Sequence, residues 1–335
     1  MSTYSRPHLT YEKQLAQLKA RGLSVTDDLA ALAYLKRLGY YRLSAYWYPF
    51  RKPDARAING KILSRRDEFV AGTTFQQAVE LYVFDKKLRM LVMDATERIE
   101  VAIRVELAHT LGARSKFAHV DPNELHGHFS SKRAFDKTTG THTGPTDHER
   151  WVAKLDQITT RSQRTEDFVA HYVKKHGTPL PIWVAIELWD FGMLSRFFAG
   201  VKQGDRDTIA HRLGIPDAEV MTSWLRTINF ARNVSAHHGR YFNRNVIDQP
   251  KLPKPGDIPM FDAALGSLRI NRPYTVLCIL SYLMKQVCPQ SHWQRHTVEL
   301  LKAIPSVGAV QLDQSALGCP DDWETHEFWQ ERVSS

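Results

Sequence analysis

The sequence predicts an all-α protein, and three observations carry that reading. Apolar residues recur at helical spacing over most of the chain, while the alternation expected of strands is rare. One such pattern runs from Thr73 or Thr74 to about Leu111, nearly forty residues, and a helix of that length serves as the spine of a bundle. Capping residues and glycines punctuate the segments where helices should start and stop.

Taken in order, Tyr11 to Ala20 reads as a short helix ending near Gly22. Thr26 is the expected N-cap of a second helix through Leu38, closed by Gly39. An aromatic stretch follows, with Tyr40, Tyr41, Tyr46, Trp47, Tyr48 and Phe50 interleaved with Arg42 and Arg51, and then a loop over Pro53 to Lys61. Beyond the long helix, Ser115 to Thr146 is rich in Gly, Thr, His and Lys and is expected to loop out. Helices resume from Asp147 to about Lys175, from Ile182 to Gly200 with an interruption near Gly192, and from Arg206 to Leu213. Asp217 caps a helix reaching about His238. Asn245 to Ser267 holds four prolines and reads as irregular. Two further helices, near Pro273 to Val287 and Ser291 to Ala303, precede a tail in which Trp323 and Trp329 should dock on the body. The resulting division is an N-terminal segment (1–72), a bundle (73–305) with an insertion near 113–146, and a tail (306–335).

The composition narrows the class of function. With 43% hydrophobic and 24% charged residues in 335, a packed globular chain is expected rather than disorder. No run of 18 uncharged apolar residues occurs, which argues against a membrane span. The start, Met1 to Arg21, is polar without an apolar core, so a cytoplasmic location is expected. Cys278, Cys288 and Cys319 form no C-x-x-C pair, and His126, His128, His142 and His148 show no ligand spacing, so no metal or other cofactor is expected. A net charge of +9 favours polyanionic partners.

The most informative segment is SWLRTINFARNVSAHHGRYFNR, Ser223 to Arg244. On a helix, Trp224, Ile228, Ala231 and Ser235 share one side. Arg226, Asn229, Asn233, His237 and Arg240 share the other, at spacings of 3, 4, 4 and 3, with Arg232 beside them. That stripe has no carboxylate, so it suits an anion better than a metal ion. The Arg-x4-His spacing of Arg232 and His237 also occurs at Arg104–His109, Arg114–His119 and Arg206–His211. What sets the Arg232 copy apart is the Asn that follows it and its neighbours His238, Asn243 and Arg244.

The chain resembles the Abi-like (AbiD/AbiF-type) proteins of bacterial abortive infection, placed in the HEPN superfamily. The landmarks are GYYRLSAYWYPFR (Gly39 to Arg51), LYVFDKKLR (Leu81 to Arg89), RIEVAIR (Arg98 to Arg104), LPIWVAIELWDFGMLSRFF (Leu180 to Phe198) and ARNVSAHHGRYFNR (Ala231 to Arg244). Near the end the family often has Met-Gly-Phe-Pro, where this chain has Leu317-Gly-Cys-Pro320 before Trp323. The resemblance implies a HEPN-type bundle with added N-terminal helices and a C-terminal extension. It implies metal-independent RNA cleavage at Arg232, Asn233 and His237, leaving a 2′,3′-cyclic phosphate and a 5′-hydroxyl, with two copies facing each other in a homodimer. A small structured non-coding RNA is the implied partner. Arg226, Asn229, His238, Arg240, Asn243, Arg244, Arg42 and Arg51 are the expected further RNA contacts. The aromatics of Tyr40 to Phe50 are assigned to the core rather than to base stacking. Alternatives are a non-catalytic RNA binder, a purely structural partner protein, and a metalloenzyme using Asp85, Asp94, Glu97 and Glu100. Those four carboxylates read instead as salt bridges and helix-face charges.

Overall fold

The computed structural model describes residues 7–330 apart from 55, 56, 59, 60, 63 and 139. Parts of the polar start, of the expected Pro53–Lys61 loop and of the tail lie outside those residues. The elements run α1 (Tyr11–Ala20), α2 (Asp28–Leu38), α3 (Tyr40–Trp47), β1 (Arg51–Pro53), β2 (Ala57–Ile58), β3 (Lys61–Ile62), β4 (Arg65–Phe69) and α4 (Phe75–Gly112). After these come α5 (Gly127–Ser130), α6 (Asp147–Ser162), α7 (Asp167–His176), α8 (Ile182–Ala185), α9 (Phe191–Gly200) and α10 (Gln203–Arg212). The last are α11 (Ala218–Ala236), α12 (Pro259–Asp262), α13 (Pro273–Val287) and α14 (Trp293–Lys302). The fold is all-α, and among the described residues it carries two antiparallel ribbons, β1 with β4 and β2 with β3.

Helix α4 organises the rest. Thr74 and Gln77 form a reciprocal capping box, with Oγ1 of Thr74 accepting from the Gln77 amide (3.1 Å) and Oε1 of Gln77 accepting from the Thr74 amide (2.9 Å). That fixes the start of a helix about 57 Å long. Leu81, Leu88, Val92, Ile99, Ile103 and Leu107 are buried along it. Helices α3, α8, α9, α10, α11, α13 and α14 all pack against it.

Helix α13 is apolar all round and buried from Pro273 to Lys285, which requires cover on every side. The tail supplies it. Ser281 donates to the Phe328 carbonyl (2.6 Å), Lys285 to the carbonyls of Glu327 and Gln330 (both 2.8 Å), and Trp329 Nε1 to the Tyr274 hydroxyl (3.1 Å). Trp323 and Trp329 are both buried there, as expected.

Several boundaries differ from expectation for local reasons. Asp27, not Thr26, caps α2, its carboxylate accepting from the Ala30 amide (2.9 Å). The break before α9 falls at Trp189–Asp190 rather than Gly192, because Asp190 caps the new helix through the Met193 amide (2.7 Å). Helix α11 ends at Ala236, two residues early, since His238 turns into the left-handed region (φ 56°).

In the 113–146 insertion, His119 is fully buried with neither ring nitrogen hydrogen-bonded, and His148 Nε2 donates to its carbonyl (2.9 Å). Burial, and then the nearby His148, push the His119 imidazole down to about 4. A depressed folded value means the stabilisation is fully present above pH 6.5 and fades as the pH falls towards 4. The stability lost over that window amounts to about 3 kcal/mol. Chemical denaturation at stepped pH should show this slope, and His119→Phe should flatten it.

Candidate functional site

Helix α11 builds the site from both of its faces. Trp224, Ile228, Ala231 and Ser235 are buried, as the periodicity predicts. On the other side Arg226 is exposed, while Asn229, Arg232 and Asn233 are half-buried. Arg232 Nη1 donates to Asn233 Oδ1 (3.3 Å), and Asn233 Nδ2 donates to Asn229 Oδ1 (3.4 Å). The start of α9 lies against this row. A Cβ at Gly192 would come within 3.5 Å of Asn229 Oδ1 and 3.2 Å of Asp190 Oδ1, so α9 approaches this row closely there.

The turn after α11 is pinned from below. His237 caps the helix through its amide to the Asn233 carbonyl (3.0 Å), and Gly239 donates to the Val234 carbonyl (2.8 Å). From α3, Arg42 donates to the His238 carbonyl (2.8 Å), and in return Arg240 donates to the Ala45 carbonyl (2.8 Å). Both imidazoles are exposed.

Beneath the turn sits Asp85 of α4, with no exposed surface. Its carboxylate accepts from the Tyr46 hydroxyl (2.6 Å), from Arg89, and from the amides of Tyr241 (3.1 Å) and Phe242 (2.6 Å). Burial pushes this carboxyl up; Arg89, Tyr46 and the two amides pull it back. Asp85 was expected to be a salt bridge or helix-face charge. It does form the salt bridge, with Arg89 four residues later, but it is buried, and it ties α3, α4 and the turn together.

Between α4 and the end of α11 lies a cleft of about 910 Å³. Arg232, Ser235 and His238 line it from one side, and Lys86, Glu97 and Glu100 are among the residues on the other. The expected carboxylate-free surface is therefore true of α11 alone. Packing adds the acids of α4, with Asp190 near Arg232 as well. Burial raises Glu100, an effect opposed by Arg104 and Arg232. Burial also works to raise Asp190, but Lys154 and the Met193 amide hold it below the usual carboxylate range. No carboxylate lies within ion-pair distance of Arg232 among the described residues.

The comparisons bear on this geometry. The family model described as Abi-like protein matches residues 33–243, well over half of the chain. The chain belongs to the Abi-like protein family. That membership ties it to abortive infection, a form of phage defence. Searches of curated proteins and of solved structures each returned no match. The Abi-like match starts within α2 and ends at Asn243, just past the turn that Asp85 holds.

The remaining expected contacts of this Abi-like protein have partners inside the fold. Arg51 pairs with Asp67 (3.2 Å) on the β1–β4 ribbon and lies over the rings of Tyr48 and Phe69. Asn243, left-handed at φ 52°, accepts from Arg272 (3.1 Å). Arg244 donates to the Arg240 carbonyl (3.3 Å) and lies over the Phe230 ring (5.7 Å). Tyr46, Trp47 and Phe50 are core, as assigned, while Tyr41 projects into solvent. Asp94 and Glu100 do form salt bridges, with Arg98 (2.9 Å) and Arg104 (2.5 Å). Among the described residues no three His, Cys, Asp or Glu are grouped to hold a metal, and no helix is long and apolar enough to cross a membrane.

Replacing Asp85 by Asn keeps its shape but leaves Arg89 without a counter-charge and turns an NH2 group towards either the two backbone amides or Arg89. The variant should lose about 3–5 kcal/mol of stability. Urea denaturation measures this; a loss under about 1 kcal/mol contradicts the tie.

Proposed function

We propose that this Abi-like protein is a HEPN-type endoribonuclease of phage defence. It cuts RNA without a metal and leaves 2′,3′-cyclic phosphate and 5′-hydroxyl ends. One observation carries the reading: Arg232, without an ion pair among the described residues, lines a cleft and lies within two helical turns of two exposed imidazoles. The net charge of +9 suits an RNA partner.

In the proposed reaction the RNA 2′-hydroxyl is the nucleophile. A base takes its proton as the 2′-oxygen bonds to phosphorus. The bond from phosphorus to the 5′-oxygen breaks, and an acid protonates the leaving oxygen. Arg232 stabilises the negative charge that builds on the phosphoryl oxygens, because it stays protonated and forks onto two of them. His237 supplies one of the two proton transfers. Asn233, fixed between Arg232 and Asn229, orients the guanidinium. The second proton transfer is assigned to a second copy of the chain in a C2 homodimer.

A second reading is a non-catalytic binder of a small structured RNA. It is favoured by the His237 ring, which has no hydrogen-bond partner to set its tautomer among the described residues.

The two readings separate when purified protein is incubated with end-labelled RNA in EDTA. Cleavage should proceed, and His237→Ala should slow it at least about 100-fold while RNA affinity stays within about threefold. A His237→Ala rate equal to the wild type contradicts the mechanism. Tight binding without any cleavage establishes the binder instead.

A further inference from the structure

We infer that the cleft between α4 and the end of α11 is a phosphate seat, in which His238 acts together with Arg232 and Ser235. This inference rests on the ribonuclease reading for its ligand, a phosphodiester of RNA.

Position comes first. Arg232 and Ser235 are three residues apart on α11, so their side chains are neighbours on one face. The helix then ends, and the left-handed backbone of His238 brings a third side chain to the same cleft. His237, one residue earlier, does not line it.

Ser235 is the second observation. It is 96% buried by its 4% exposure, yet its hydroxyl has no hydrogen-bond partner. A helical Ser or Thr ordinarily satisfies itself on the carbonyl four residues back. Two threonines of the same helix do so: Thr222 on Ala218 (2.8 Å) and Thr227 on Ser223 (3.1 Å). Ser235 does not, and its donor is left for something that enters the cleft.

The third observation is the backbone of His238. A non-glycine residue at φ 56° is strained unless its surroundings hold it there, and such positions cluster at working sites. Arg42 on the His238 carbonyl, Gly239 on the Val234 carbonyl and Asp85 under the next turn supply that hold.

The charges agree with an anion at this end of the cleft. Arg232 forms no ion pair among the described residues, and Lys86 is an exposed residue of the facing wall. Of the cleft's acids, Glu100 is tied to Arg104 and Asp94 to Arg98, and Glu97 faces solvent. Guanidinium, hydroxyl and imidazole together offer a phosphate three kinds of donor.

The test uses full-length protein with isotope-labelled histidine, titrated with inorganic phosphate and then with RNA. His238→Asn serves as the paired variant because Asn tolerates the left-handed backbone. Phosphate should move the His238 ring signals. His238→Asn and Ser235→Ala should each weaken RNA binding by about tenfold with melting temperatures unchanged. Wild-type RNA affinity in both variants, or no response of His238 to phosphate, overturns the seat. A seat that responds to phosphate in a protein that cuts no RNA contradicts the ribonuclease reading alone.

Discussion

Asp85 carries a carboxylate where three segments of the chain converge, and the geometry of the site follows from how that charge is satisfied. A carboxylate removed from water needs donors on every side. Here one comes from α3 (Tyr46), one from its own helix (Arg89), and two from the backbone beyond α11 (Tyr241 and Phe242). The two amides belong to the segment that directly follows His237 and His238, so the position of the imidazoles is referred to the spine. Arg42 and Arg240 complete the arrangement by exchanging hydrogen bonds between α3 and the turn. A left-handed histidine is tolerated because the residues around it are fixed independently.

The same tie explains why the end of α11 is exposed chemistry on a rigid base rather than a fraying helix terminus. Its last carbonyls accept from the His237 and Gly239 amides, and Tyr241 and Phe242 just beyond are anchored by a buried charge. The Abi-like match ends at Asn243, immediately after this anchored stretch. Family membership, the buried carboxylate and the Arg232–Asn233 row thus concern one piece of structure.

Much of this architecture was legible in the sequence where local chemistry dominates. Thr73 or Thr74 announces the start of α4, with Thr74 the actual cap, Asp217 announces the start of α11, and the apolar run of α13 is recovered with its boundaries unchanged. What was not legible depended on contacts distant in sequence. The β1–β4 ribbon is only five residues long on its longer side, too short for alternation to show. The acids opposite Arg232 belong to α4 and to the cap of α9, so an inventory of α11 alone could not include them. Asp85 looked like any charged residue on a helix because its partners Tyr241 and Phe242 act through backbone amides, which every sequence has. Ser235 was assigned correctly to the buried side, but no pattern could say that its hydroxyl would lack a partner there.

The proposed chemistry depends on a nucleophile that belongs to the substrate rather than to the protein. The most direct measurement is therefore cleavage of an RNA carrying a single 2′-deoxy nucleotide at a linkage the protein normally cuts. Loss of cleavage at that linkage alone, with neighbouring sites unaffected, is the expected result. Continued cutting there, or products ending in a 5′-phosphate, would show that another nucleophile does the work and that Arg232 and the histidines serve a different end.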